Sequence, residues 1–273
     1  KKLVGTTINF DVSSVGATGN ILMAATLAKG TTIINNAAME PEITNLAEFL
    51  ISMGAKIYGL NTSVLEIEGV DELKPADVNT IPDRIEAGTL LIAGAITKGK
   101  IKLLNAEPKH LTAIITKLEE AGCNLLLSND IIEVDSTDLE IKPINVSTSI
   151  YPGFPTDMQA QWTTLMSLSG GISTVTDTIF LDRFKHAPEL VRLGADIEVK
   201  ENSAIINGVK KLKGAKVMST DLRASASLVL AGLAAEGITE VLRVYHLDRG
   251  YQRIEEKLKS LGADISRESG PEF

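Results

Sequence analysis

Four turns carry the residues whose types could do chemistry. They read Ser14-Val15-Gly16-Ala17-Thr18, Asp83-Arg84-Ile85-Glu86-Ala87-Gly88, Thr156-Asp157-Met158-Gln159 and Thr220-Asp221-Leu222-Arg223-Ala224-Ser225. Each precedes an apolar, alanine-rich stretch that reads as a helix. Each therefore falls at a helix N-terminus, where free N–H groups and the positive end of the macrodipole favour anions. The first turn is built of small residues and lets the backbone approach an anion closely. A carboxylate such as Asp157 suits proton acceptance, and guanidinium forks suit carboxylates and phosphates. The competing reading of each aspartate is a helix N-cap, with Arg84 and Arg223 as structural partners of those caps.

A second set of loops holds Glu40-Pro41, Glu107-Pro108, Arg183-Phe184-Lys185-His186 and Asp248-Arg249-Gly250-Tyr251. Arg249, read at a helix start, conflicts with the dipole. A bound anion would resolve the conflict; pairing with Asp248 is the alternative. His186, near Arg183 and Lys185, is a weak anion-site candidate, whereas His110 and His246 have no partner at catalytic or metal spacing. Cys123 has no basic neighbour in sequence to activate it and reads as an inert thiol.

These turns are positioned by an internal repeat. Gly54, Gly122, Gly194 and Gly262 each follow an outer helix and precede a β-rich stretch, at separations of 122 − 54 = 68, 194 − 122 = 72 and 262 − 194 = 68 residues. Gly30, Gly99, Gly171 and Gly237 keep a similar period. The first unit reads as a lead strand (6–11), a helix apolar nearly all round (19–29), a strand (31–36), an amphipathic helix opened by Glu40-Pro41, and a hairpin of strands 55–60 and 63–68. The other buried helices are expected over 89–98, 159–169 and 225–236, with outer helices beginning near Pro108, Pro188 and Gly250. The fold class is α/β. The apolar helices must pack on one another, which favours a closed cluster of three units over a solenoid. The fourth unit ends after a strand at 263–267 with no partner, and the terminal Gly270-Pro271-Glu272-Phe273 reads as a cloning remnant.

Composition bounds the function classes. The 273 residues carry 27 basic and 35 acidic side chains, a formal charge of −8, which argues against binding nucleic acid or anionic membrane through bulk charge. One cysteine and three histidines leave no disulfide framework and no cysteine or histidine metal cluster. No apolar run reaches the ~20 residues of a membrane span. Nothing after Lys1-Lys2 reads as a signal peptide, so the expectation is a cytoplasmic protein.

Longer phrases carry a family resemblance: Phe154-Pro155-Thr156-Asp157-Met158-Gln159-Ala160-Gln161, Thr220-Asp221-Leu222-Arg223-Ala224-Ser225-Ala226-Ser227, Asp248-Arg249-Gly250-Tyr251, Ser14-Val15-Gly16-Ala17-Thr18, Asn36-Ala37-Ala38-Met39-Glu40-Pro41-Glu42 and Pro82-Asp83-Arg84-Ile85-Glu86-Ala87-Gly88. Together, over about Leu3 to Arg267, the sequence resembles the UDP-N-acetylglucosamine 1-carboxyvinyltransferases, enolpyruvyl transferases of bacterial peptidoglycan synthesis. The resemblance implies an inside-out α/β barrel with six such units in two domains, four of them present here. Residues 1–80 would be the last unit of the domain bearing the catalytic loop. Residues 81–273 would be the three-unit domain, its final hairpin short of a strand. Roughly 140 residues, two repeat periods, are expected upstream.

The implied reaction moves the enolpyruvyl group of phosphoenolpyruvate onto the 3′-hydroxyl of UDP-N-acetylglucosamine and releases phosphate, the first committed step of the pathway. By motif, Asp157 matches the carboxylate that accepts the hydroxyl proton. Asp221, Arg223 and Arg249 match residues around phosphoenolpyruvate. Val12, Ser13, Ser14, Val15 and Gly16, with Thr156, Asp157, Ile179 and Phe180, match contacts to the nucleotide sugar. Val12 stands where many relatives have lysine, which removes one phosphate contact. The family's cysteine-bearing loop has no match, since Cys123 does not correspond to it, so this stretch by itself is expected to be inactive. No metal or cofactor is implied, and the partners are the two small-molecule substrates together with the missing N-terminal units, with neither nucleic acid nor membrane. Two other readings stay open: a 3-phosphoshikimate 1-carboxyvinyltransferase, and a non-catalytic substrate-binding remnant.

Overall fold

The structure, a computed structural model, describes residues 2–269, so the terminal Gly270-Pro271-Glu272-Phe273 lies outside the described residues. The chain divides into two compact units, one of residues 1–82 with 150–153 and one of 83–149 with 154–273.

The first compact unit holds the first repeat: β1 (Thr7–Asn9), α1 (Val15–Ala25), β2 (Thr31–Asn35), α2 (Pro41–Ser52), β3 (Lys56–Tyr58) and β4 (Val64–Glu68). The sheet order is β1-β2-β4-β3, with β1 parallel to β2 and the other pairs antiparallel. Pro41 at the start of α2 lacks only an N–H that no helical carbonyl would accept. Helix α1 is buried at Thr18, Gly19, Leu22 and Ala25, but Met23 is 48% exposed. The expectation that it is buried all round fails within this unit. Its partners here are α2 and the sheet, which cover one side.

The second compact unit holds three further repeats. The second comprises α3 (Arg84–Ile96), β5 (Lys100–Leu104), α4 (Thr112–Glu120), β6 (Asn124–Ser128) and β7 (Ile131–Asp135), in sheet order β5-β7-β6. The third comprises β8 (Val146–Ser147), α5 (Gln159–Met166), β9 (Ile172–Thr176), α6 (Ala187–Arg192), β10 (Asp196–Lys200) and β11 (Ser203–Asn207). Its order, β8-β9-β11-β10, with one parallel and two antiparallel pairs, repeats the plan of the first. The fourth follows β12 (Leu212–Lys213) and comprises β13 (Lys216–Met218), α7 (Leu222–Ala234), β14 (Ala235–Glu236), β15 (Glu240–Leu242) and α8 (Ile254–Ser260). Here β13 pairs with β15 and β12 with β14, both parallel. Residues 263–267, expected as a strand, take none, because the antiparallel neighbour that β4 and β11 supply in other repeats has no counterpart among the described residues.

Two physical devices explain the repeat. All four period-defining glycines end an outer helix with left-handed φ: Gly54 at +102°, Gly122 at +102°, Gly194 at +92° and Gly262 at +101°. That conformation closes the helix and turns the chain into the next strand at no Cβ cost. The inner helices α3, α5 and α7 pack on one another, so each loses its solvent face. All eight residues of α5 are buried, whereas α4, an outer helix, buries only Ile114, Ile115 and Leu118, which lie on one stripe. Close approach needs small residues: a Cβ at Gly88 would sit 3.0 Å from Ile114 Cδ1 and from Met158 Cε. One hydrophobic core, with Trp162, Leu91, Ile92 and Leu165 fully buried, joins these helices to the sheets around them.

Candidate functional site

The N-terminal turns of α3, α5 and α7 do not use their aspartates alike. Asp83 caps α3, accepting from the N–H groups of Ile85 at 2.8 Å and Glu86 at 3.1 Å. Asp221 caps α7 in the same way, accepting from Arg223 N and Ala224 N, both at 2.9 Å. Asp157 caps nothing. A 3-10 turn, Thr156–Met158, precedes α5 and places Asp157 inside helical backbone rather than at its boundary. Its carboxylate projects outward and receives two guanidiniums: Arg183 Nη1 donates to Oδ1 at 2.8 Å, and Arg223 Nη2 donates to Oδ2 at 2.7 Å. Arg223 therefore partners the aspartate of the neighbouring repeat through its side chain, not the one that caps its own helix.

The electrostatics follow from this clamp. Burial alone would raise the Asp157 carboxyl, but the charges and hydrogen bonds of Arg223 and Arg183 outweigh it and hold the group below the ordinary aspartate value. Burial likewise works against the Arg223 charge, and Asp157, followed by Tyr251, more than restores it. Asp157 is accordingly ionised at neutral pH, with a net surplus of one positive charge across the three side chains. A small anion carrying a hydroxyl, or a hydroxylated molecule beside an anion, is the chemistry such a cluster can hold.

Arg183 and Arg223 have different supports. Arg183 also donates to Thr156 Oγ1 at 3.0 Å and lies 5.3 Å from the ring centroid of Phe180. Arg223 donates through Nη1 to Tyr251 Oη at 3.3 Å, and its guanidinium lies 5.7 Å from that ring's centroid. Tyr251 is 1% exposed, and its hydroxyl also meets Thr89 Oγ1 at 2.9 Å and Gln161 Nε2 at 3.3 Å.

Asp177 organises the loop after β9. Its Oδ1 accepts from Thr148 Oγ1, Ile179 N and Phe180 N at 2.8 to 2.9 Å, and its Oδ2 accepts from Thr156 Oγ1 at 2.7 Å. One buried carboxylate thus fixes the backbone of Ile179 and Phe180 and steadies the turn bearing Asp157. Phe180 itself is 53% exposed, which leaves its ring available to a ligand.

The structure brings Thr156, Asp157, Arg223, Ile179 and Phe180 into this connected network. Asp221 contributes through its cap. Arg249 is exposed and lies at the end of the 3-10 stretch Val244–Arg249, not at a helix start; α8 begins only at Ile254. The dipole conflict expected there therefore vanishes. Nor does Asp248 neutralise Arg249, since both its oxygens receive Arg267, at 2.7 and 3.1 Å. His186 is corrected as an anion candidate. Buried at 2% exposure, it is pushed down to about 4, by burial first and by the Arg183 charge also, with Asp221 opposing, so it is neutral where an anion would need charge. Burial pushes the Cys123 thiol up, Ser136 only partly offsetting it, as suits an inert thiol. Among the described residues no cluster of three His, Cys, Asp or Glu could hold a metal ion, and no helix is long and apolar enough to cross a membrane.

In the first compact unit, Ser14 caps α1, its Oγ accepting from Ala17 N at 3.3 Å. Val12, Val15 and Gly16 are exposed and Ser13 half-buried, and a Cβ at Gly16 would meet nothing within 4 Å. The segment offers open backbone beside a helix N-terminus.

Sequence reasoning missed Asp177, Arg183 and Tyr251 as members of the network. The phrase Asp177-Thr178-Ile179-Phe180 carries the signature of an Asx turn, in which an aspartate accepts from N–H groups two and three residues on. For the contact of Arg183 with Asp157, 26 residues away, and for those of Tyr251 with Thr89 and Gln161 in other repeats, no local signal exists.

Comparison with known proteins gives consistent likenesses. A family profile described as EPSP synthase (3-phosphoshikimate 1-carboxyvinyltransferase) matches residues 1–258. Proteins named UDP-N-acetylglucosamine 1-carboxyvinyltransferase are similar over the whole chain, 60% identical in Chloroherpeton thalassium and 57% in Chlorobium chlorochromatii. The chain spans 63% and 64% of the length of those relatives. Among solved structures, the enolpyruvyl transferase NikO from Streptomyces tendae superposes with a TM-score of 0.89 at 26% identity, covering 99% of this chain and 67% of that one. EPSP synthase from Acinetobacter baumannii shares the fold, with a TM-score of 0.73 at 20% identity, covering 97% of this chain and 64% of that one.

Proposed function

The chain belongs to the family of EPSP synthase (3-phosphoshikimate 1-carboxyvinyltransferase), and on that premise we propose that it forms part of an enzyme that transfers the enolpyruvyl group of phosphoenolpyruvate to the 3′-hydroxyl of UDP-N-acetylglucosamine. The observation that carries this reading is the carboxylate of Asp157, kept ionised between Arg183 and Arg223. An ionised carboxylate within hydrogen-bond reach of the acceptor hydroxyl takes its proton as the carbon–oxygen bond forms. The guanidiniums bind the carboxylate and phosphate of phosphoenolpyruvate and stabilise the phosphate as it leaves. Arg249, exposed and with no ion-pair partner among the described residues, serves the same anion, and Asp221 holds the helix that carries Arg223. Ile179 and Phe180 pack beside the nucleotide sugar.

UDP-N-acetylglucosamine is preferred as acceptor over shikimate 3-phosphate because the relatives at 60% and 57% identity carry that name. In this reading residues 1–80 belong to a domain completed by sequence outside these 273 residues, and 81–273 form the second domain. The stretch supplies the proton acceptor and part of the anion site, and alone it does not turn over.

The test joins this chain to the part of the Chloroherpeton thalassium relative that it does not match. Phosphate release from phosphoenolpyruvate is then followed with each acceptor. Release with UDP-N-acetylglucosamine alone is expected. Release with shikimate 3-phosphate would establish the other transferase, and release with neither would leave a binding remnant.

A further inference from the structure

Donor accounting gives the buried contacts around Tyr251 a direction. The Thr89 hydroxyl lies 2.8 Å from the carbonyl of Ile85, which can only accept, so Thr89 spends its one proton there. Thr89 Oγ1 must then accept from Tyr251, 2.9 Å away, and from Gln161 Nε2 at 3.1 Å. The Tyr251 proton is in turn committed to Thr89, which leaves the lone pairs of its oxygen for Arg223 Nη1 at 3.3 Å. Arg223 completes the series by donating Nη2 to Asp157 at 2.7 Å. From Arg223 the donors run in two directions: through Nη1 to Tyr251, Thr89 and the α3 backbone in series, and through Nη2 to Asp157. Arg223 Nε is buried with no hydrogen-bond partner among the described residues, so the plane of the guanidinium is set by these two Nη contacts and the Tyr251 ring.

We propose that Tyr251 is a positioning residue: its hydroxyl, oriented by Thr89, fixes the Arg223 guanidinium so that Nη2 faces Asp157. The chain of contacts ties the proton acceptor to the backbone of α3, a helix of another repeat. Tyr251 touches no reacting group and acts through Arg223. The inference deepens the function proposed above and rests on it only for the consequence in turnover.

The experiment titrates Asp157 by 13C NMR of the side-chain carboxyl in the 273-residue chain, without substrate, the resonance being assigned by its loss in Asp157→Asn. Tyr251→Phe keeps the ring and removes the hydroxyl. It is expected to raise the Asp157 midpoint by about half a pH unit or more. Thr89→Val, nearly isosteric, takes away the acceptor that orients Tyr251 and is expected to move the midpoint the same way. Thr89→Ser keeps the hydroxyl and leaves the midpoint in place. An unmoved midpoint in Tyr251→Phe overturns the proposal. So does Thr89→Ser shifting as far as Thr89→Val, which would mean that packing sets the value. No substrate enters these measurements, so they stand even if the joined protein described above transfers nothing.

Discussion

The turns before α5 and α7 begin with the same two residues, Thr156-Asp157 and Thr220-Asp221, and spend the carboxylate in opposite ways. Asp221 sits in extended backbone at φ −159° and closes its oxygen onto two N–H groups of its own helix. Asp157 sits one residue inside a 3-10 turn that Pro155 opens, and its oxygens are left for side chains of other elements. A displacement of two residues relative to the helical start separates a carboxylate that caps its own helix from one that clamps guanidiniums. Such turns are built from the same residue types, so the difference is invisible in composition.

Exchanging each acid for its amide separates the two turns most sharply. In the joined, active protein, Asp157→Asn is expected to lower turnover by about 10²- to 10⁴-fold, the usual range for a lost proton acceptor, while UDP-sugar binding is largely kept. Near-normal turnover, followed as phosphate release, would make the two turns equivalent. A second effect separates their surroundings. His186 is pushed down to about 4 by burial, with the Asp221 charge raising it and the Arg183 charge lowering it. Its folded value lies below the ordinary 6.5, so the unfolded state binds the proton more tightly. Its contribution is therefore complete above pH 6.5 and is lost as pH falls towards about 4, amounting to roughly 3 kcal/mol. Urea unfolding across that window should show the loss, and His186→Leu should flatten it. The smallest effect concerns the caps. Asp221→Ala and Asp83→Ala should each cost about 1 kcal/mol of stability by thermal or urea unfolding. Asp157→Ala should show no cap loss, its cost arising instead from stranding Arg223, 12% exposed at the side chain.

Much of the architecture was legible because it is periodic. The glycines at 54, 122, 194 and 262 mark it, and their left-handed φ explains why glycine is the residue that recurs. Inner and outer helices were separable because a helix buried on all sides, such as α5, has no polar stripe, while α4 has one. Cap and clamp could not be separated, because which end of a short turn a residue occupies is decided by hydrogen bonding, not by residue type. Arg249 was misplaced for a related reason: a 3-10 stretch ending at that residue looks, in sequence, like the opening of the next helix. The contacts of Arg183 with Asp157 and of Tyr251 with Thr89 join residues 26 and 162 positions apart, beyond any local pattern.

The double clamp on Asp157 has a thermodynamic corollary. A ligand anion that draws either guanidinium towards itself withdraws part of what depresses the carboxyl, and so makes Asp157 a stronger base. Reciprocity requires that a proton taken up by Asp157 free both arginines to grip an anion harder. In the proposed reaction, proton capture and retention of the departing phosphate would in this way be two faces of a single exchange.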